Sequence, residues 1–331
     1  MSTEARQIPD RLDKPLSAGL KSWEMLLVVV AVTIFIFNSF ASPHFLDVWT
    51  LSDMTFNFTE KALIALPMAL LIIAGEIDLS VAAILALSST LMGFAMQFGF
   101  GTPALVCVGM VVGLICGAFN GLLVTGLGLP SIVVTIGTMS LFRGLAFIIL
   151  GDQVYKNYPQ GFDYFGQGYV VWVISFELVL FLIFACVFGF LLHFTNFGRR
   201  LYFVGRNQVT SLFSGVNVKR TKFILFCLTG VMSGVASVLL TSRLGSTRPS
   251  IAQGFELEAI TMVVLGGVAI TGGAGSIPGV VLAALIMGLV TFGFGLLNVP
   301  GIVLSIFVGL LLIGVIAMPI LWKRFMWVLK K

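Results

Sequence analysis

From Trp23 onward the sequence is a succession of apolar runs about twenty residues long, parted by short polar breaks. About twenty apolar residues cross the hydrocarbon core of a bilayer as a helix, and lipid offers no partner for an unpaired backbone N–H or C=O. Such a chain must fold into membrane-spanning helices. Ten candidate spans follow from the runs: 23–41, 55–74, 79–98, 103–125, 131–150, 171–193, 222–241, 256–271, 277–296 and 300–321. Pro67 interrupts the second, Gly266-Gly267 the eighth, and Gly279 opens the ninth. Of the 331 residues 58% are hydrophobic and 10% charged, against about a quarter charged in soluble domains. Too few polar side chains remain to cover a wet surface. The expected fold is all-α and polytopic, with tails at 1–22 and 322–331 around a transmembrane domain at 23–321. Residues 25–37 followed by Ser39-Phe40-Ala41 also have the look of a cleavable signal core, but the polar tail before them is long for one.

Charge gives the orientation. Four basic residues lie in the N-terminal tail (Arg6, Arg11, Lys14, Lys21), six in a central loop and four near the C-terminus (Lys323, Arg324, Lys330, Lys331). Ten spans put all fourteen on one side, which the positive-inside rule makes cytoplasmic, both termini included. The opposite side receives Lys156, Arg243 and Arg248, with Lys61 and Arg143 inside spans. Trp23, Trp49, Trp172, Trp322 and Trp327 all fall at span ends, where interfacial belts form.

The central loop, NFGRRLYFVGRNQVTSLFSGVNVKRTK (196–222), is the one long polar stretch. It holds Arg199, Arg200, Arg206, Lys219, Arg220 and Lys222 and no acid. Val209, Leu212, Phe213 and Val216 recur at i, i+3, i+4 and i+7, one face of a short helix, with Asn207 as its N-cap and Gly215 as its stop. A basic loop carrying an apolar-faced helix can dock a partner.

Chemistry is sparse elsewhere. Cys107, Cys116, Cys186 and Cys227 lie in apolar runs and read as small buried hydrophobes; His44 and His193 have no carboxylate partner in sequence. No H-E-x-x-H, G-x-S-x-G or Walker lysine occurs, and Gly272-Gly273-Ala274-Gly275-Ser276 lacks the Lys-Ser/Thr of a phosphate loop. The glycine-rich stretch from Gln253 to Thr291 instead reads as a tight helix–turn–helix hairpin packed through Gly275, Gly279 and Ala283. The net charge of +5 sits at the membrane edges and gives no reason to expect nucleic acid.

Several polar groups stand as candidates. In GEIDLSV (75–81), either Asp78 or Ser80 caps the third span while Glu76 sits in headgroup water, or Glu76 and Asp78 lie near a permeation path. Gly109, Gly113, Gly117 and Gly121 form a small-residue stripe for helix packing, with Asn120 beside it. After Pro130, Ser131, Thr135 and Thr138 share one face, with Arg143 further along, as a path lining would. Loops 151–170 and 242–255 share the outer side and offer aromatics and basic groups to a lid or an external partner.

Four segments, GEIDLSV (75–81), LPSIVVTIGTMSLFRG (129–144), FGRRLYFVGRNQVTSLFSGVNV (197–218) and GFELEAITMVVLGGVAITGGAGSIPG (254–279), resemble in order those of the monosaccharide-importer permeases of the ABC superfamily. These are the ribose-, xylose-, rhamnose- and autoinducer-2-type membrane subunits, and the rhamnose type looks nearest. The resemblance implies the type II ABC importer permease fold in a bacterial inner membrane. It implies a second permease subunit, identical or related, a cytoplasmic ATPase that binds the ATP, and a periplasmic or extracellular sugar-binding protein. The loop 194–221 then matches the coupling region, with Arg199, Arg200, Gly205, Arg206, Asn207, Val209, Leu212, Phe213 and Gly215. Asp78, Asn120, Ser131, Thr135, Thr138 and Arg143 would lie along the path, and no cofactor would sit on this chain. Relatives usually carry Gly where this chain has Glu76. The rival is an ion-gradient-driven transporter or channel for a small polar solute, which would need ionisable groups deep in several spans.

Overall fold

The computed structural model describes residues 23–151 and 153–329, residues 318–329 by backbone alone. The basic residues of both tails, with Trp322 and Trp327, therefore lie outside what is described in side-chain detail. Five helices come first: α1 (Trp23–Ala41), α2 (Val48–Ile73), α3 (Val81–Gln97), α4 (Thr102–Gly126) and α5 (Ser131–Leu150). Short pieces follow: β1 (Tyr155–Lys156), α6 (Tyr164–Gln167), β2 (Tyr169–Val171) and β3 (Ile174–Ser175). The second half comprises α7 (Phe176–Phe194), α8 (Asn196–Arg206), α9 (Gln208–Phe213), α10 (Val218–Leu244), β4 (Ser246–Thr247), α11 (Phe255–Leu265), α12 (Ile277–Leu296) and α13 (Gly301–Leu329).

Seven of these helices, α1, α2, α4, α5, α7, α10 and α12, are long and apolar enough to cross a membrane, and α3 and residues 301–317 of α13 are shorter apolar helices. The expected span at 256–271 is not one helix. α11 stops at Leu265, because Gly266 and Gly279 bring the two arms of the hairpin into backbone contact and Gly267 turns the chain at φ +85°. The hairpin itself forms as expected, with Val268 and Ile277 buried inside it.

α2 is the central post. Residues 62–74 are all buried, and the helix runs through Pro67 because neighbours enclose the turn that the missing N–H loosens. α10 is also buried over much of its length, and it meets α4 glycine to glycine. A Cβ on Gly113 would overlap the Gly230 carbonyl oxygen, and one on Gly117 the Phe226 carbonyl oxygen. The small-residue stripe is thus a close-packed seam. Of the cysteines only Cys116 is buried; Cys107 and Cys186 face outward from the bundle, where an apolar thiol suits lipid.

One end carries a compact lid. β1 pairs antiparallel with β4, which joins the two loops expected to share a face. Tyr158 stacks on the buried Phe162 at 4.6 Å, its hydroxyl bonds the Thr247 hydroxyl, and Ser242 Oγ accepts from Gly166 N at 2.7 Å. The opposite end holds α8, α9 and the hinges at 74–80 and 266–276.

Gly113→Leu will wedge α4 from α10 at a cost of about 1–3 kcal/mol. Thermal unfolding in detergent should show a lowered midpoint, whereas Gly137→Ala, at a site with nothing within 4 Å, should leave it in place.

Candidate functional site

Three side chains cap three successive helices and so build an elbow. Thr195 Oγ1 accepts from Gly198 N at 3.3 Å, Asn207 Oδ1 from Thr210 N at 3.0 Å, and Asn217 Oδ1 from Arg220 N at 2.9 Å. Asn207 is the N-cap expected, and Gly215, at φ +80°, ends the next helix. That helix, α9, is only six residues long, so Val216 turns inward instead of extending the apolar stripe. Val209, Leu212 and Phe213 are left 64%, 62% and 86% exposed, an apolar face not covered by any of the described residues. Arg199, Arg200 and Arg206 of the preceding α8 are exposed as well. The sequence reading missed α8, which buries Gly198, Leu201 and Val204 on one side; its spacing of 3 was the available signal.

The elbow is clamped to both hinges. Gly205 lies so close to the Ile73 carbonyl and the Gly273 amide that a Cβ would overlap both. Gly273 N donates to Ile73 O at 2.8 Å, and the Tyr202 hydroxyl donates to Gly275 O at 2.7 Å. Three segments distant in sequence thus meet backbone to backbone.

The hinge at 74–80 is itself tied down. Asp78 is fully buried; its Oδ1 accepts from Ser80 N at 2.8 Å and from the Ser80 hydroxyl at 2.6 Å, and its Oδ2 from Thr229 of α10 at 3.4 Å. Asn120 of α4, also fully buried, donates to Ser80 Oγ at 2.7 Å. Ser131 Oγ accepts from Ile77 N at 3.3 Å, and Thr135 donates to Ile77 O at 3.4 Å. Thr138 is buried one turn on and bonds back to Thr135 O. Four of the six residues expected along a path, Asp78, Asn120, Ser131 and Thr135, therefore gather at the hinge, with Thr138 one turn away, while Arg143 sits apart, bonded to the carbonyls of Pro249 and Ile251. Glu76 pairs with Lys222 at the start of α10. Beside that pair opens a cavity of about 780 Å³, lined by Leu129, Pro130, Gln208, Val209, Leu212 and Lys219 among others.

Ionisable groups within the helices are more numerous than the sequence reading allowed. Arg243, placed there on the outer side, is the last turn of α10 and grips the fully buried Glu60 of α2 at 2.8 and 3.0 Å. Lys61 pairs with Glu258 at 2.6 Å and lies 4.7 Å from the Phe255 ring centre. Glu177 is buried at the start of α7. Pairing is what makes four of these groups tolerable away from water, so they fasten α2 to α10 and α11 instead of marking an ion path. The signal overlooked was an acid inside each of three apolar runs.

Residues 51–316 match the family described as branched-chain amino acid transport system / permease component. The autoinducer 2 import system permease protein of Salmonella typhimurium is 33% identical over 301 residues, covering 89% of this chain and 90% of that protein. Its counterpart in Yersinia enterocolitica is 33% identical over 300 residues, with 89% and 90% covered. That of Photorhabdus temperata is 32% identical over 297 residues, with 88% and 89% covered. No solved structure matches the chain.

Glu76→Gly will strand the Lys222 ammonium beneath the elbow and destabilise the protein by about 3 kcal/mol. Adding Lys222→Met should recover most of the loss, so a double-mutant cycle on detergent melting will show strong coupling; additive losses would mean that the pair contributes nothing.

Proposed function

The chain belongs to the branched-chain amino acid transport system permease-component family, non-catalytic membrane subunits of ABC importers, and we propose that it carries a monosaccharide-class solute. The observation behind the coupling half of this reading is the exposed apolar face of α9, which follows directly on α8 with its exposed Arg199, Arg200 and Arg206. A cytoplasmic ATPase that seats Val209, Leu212 and Phe213 in a groove has a grip on the permease. The elbow end is then cytoplasmic, as its uncompensated basic charge favours, and the lid end receives an external sugar-binding protein. A second permease subunit completes the conduit.

Movement follows from geometry. An ATPase with two states shifts the permease only by contacting its two conformations differently. Displacing α9 displaces α8, and Gly205 and Tyr202 pass that to both hinges. The 74–80 hinge carries α3 and, through Ser131 and Thr135, the cytoplasmic end of α5. Asp78 and Asn120 act from behind, holding the hinge as one body, while the α5 face up to Arg143 borders the path. The relatives' names point to autoinducer 2 as cargo; GEIDLSVAAI (75–84) and LLTSRLGSTRPS (239–250) resemble rhamnose permeases, which makes rhamnose or a related sugar the alternative. Both are small and hydroxylated.

Val209→Asp with Phe213→Asp should abolish copurification of the ATPase from detergent extracts while the permease still folds. A thiol introduced at Ser214 should react with an impermeant reagent only after cells are opened. Labelling in intact cells, or copurification that survives the double substitution, would leave the ion-gradient reading in its place.

A further inference from the structure

The lid is fastened to the body of the protein at several places. β1 pairs with β4, and the Tyr158 hydroxyl bonds the Thr247 hydroxyl. Ser242 Oγ donates to Phe162 O while accepting from Gly166 N, and Gln167 Nε2 donates to Arg243 O at 2.9 Å. Gly166 lies backbone to backbone on α10, where a Cβ would overlap Arg243 N and Leu239 O. A connection anchored in this way keeps a fixed shape, as a scaffold for binding residues must.

Between these anchors opens a cavity of about 390 Å³, near the lower end of the range of about 300–1,000 Å³ that small-molecule pockets occupy. Tyr158 and the buried Phe162, stacked on each other, give it an aromatic side. Asn157, Gln160, Asp163 and Gln167 line it too, all four exposed. Asn157 turns the chain there at φ +67°, a conformation asparagine tolerates better than most side chains. Asp163 stands at the start of α6 but does not cap it. The side chains of Asn157, Gln160 and Asp163 bond nothing among the described residues, and Gln167 spends only its amide nitrogen, so its Oε1 is free. No lysine or arginine lies among the lining residues.

We propose that this lid cavity is an outer binding site for an uncharged, hydroxylated solute of about monosaccharide size. Each hydroxyl of such a solute both donates and accepts, and the wall answers with the amides of Asn157 and Gln160, the Gln167 carbonyl and the Asp163 carboxylate. The aromatic side takes the apolar C–H face, the division of labour that ligand pockets use. A lone carboxylate with no cation along the wall repels an anion, so a phosphorylated or acidic solute is excluded. The site holds the cargo at the mouth of the permease as the binding protein lets it go. The inference rests on the importer reading and adds a contact between permease and solute in the lid, apart from the path along α5.

The test is ligand-observed NMR on the full-length permease in lipid nanodiscs, without binding protein, titrated separately with L-rhamnose, autoinducer 2 and glucose 6-phosphate. One of the first two should bind, and the phosphate should not. Asp163→Ala should raise the dissociation constant at least about tenfold, and Asp163→Asn by less. The melting midpoint of both variants should match the wild type, because the Asp163 side chain holds nothing in place. A wild type that binds neither solute overturns the site, as does equal binding of the phosphate or an unchanged affinity in Asp163→Ala. A variant that keeps the solute but loses the binding protein also overturns it, since the cavity is then a docking contact. Copurification of the ATPase is followed in parallel: its absence from wild type strikes the importer reading, whereas solute binding alone decides the lid site.

Discussion

Backbone meeting backbone at Gly205 is the contact on which the elbow end depends. Side chains that touch can slide or repack, but peptide groups in van der Waals contact and joined by a hydrogen bond leave little slack. Ile73 closes the central post, Gly273 closes the hairpin, and α8 is pressed between them with no side chain to act as a cushion. Any larger residue at 205 would turn a rigid joint into a wedge.

Polar groups inside the bundle follow the same economy of partners. The Glu60–Arg243 and Lys61–Glu258 pairs bind α2 to the helices of the second half, and hydroxyls on α5 and α10 converge on the hinge. Several groups fall outside this pattern: both carboxylate oxygens of Glu177, Oδ1 of Asn120, Oε2 of Glu256 and the hydroxyls of Ser88, Thr90 and Ser237 are buried without a hydrogen-bond partner among the described residues. A buried network that is complete specifies structure.

Much of this was legible in the sequence. Apolar runs located the long helices because lipid forbids alternatives, Asn207 and Gly215 marked a helix by cap chemistry, and glycines spaced by four announced the α4–α10 seam. What escaped was set by tertiary contact. Nothing local says that Val216 turns inward, that α11 ends at Leu265, or that Asn120 reaches from α4 to the serine that Asp78 holds in the hinge. Distance along the chain also hid the partners of Glu60 and Glu76, which lie 183 and 146 residues away.

The Glu76–Lys222 pair spans the two halves of the chain, one partner before α3 and the other opening α10. In the resembling permeases glycine usually occupies the first position. A hybrid that joins the amino-terminal half of such a permease to the carboxy-terminal half of this one would inherit a cation without its counter-charge. The two halves are in that sense a matched set, and grafting between cousins must carry both residues or neither.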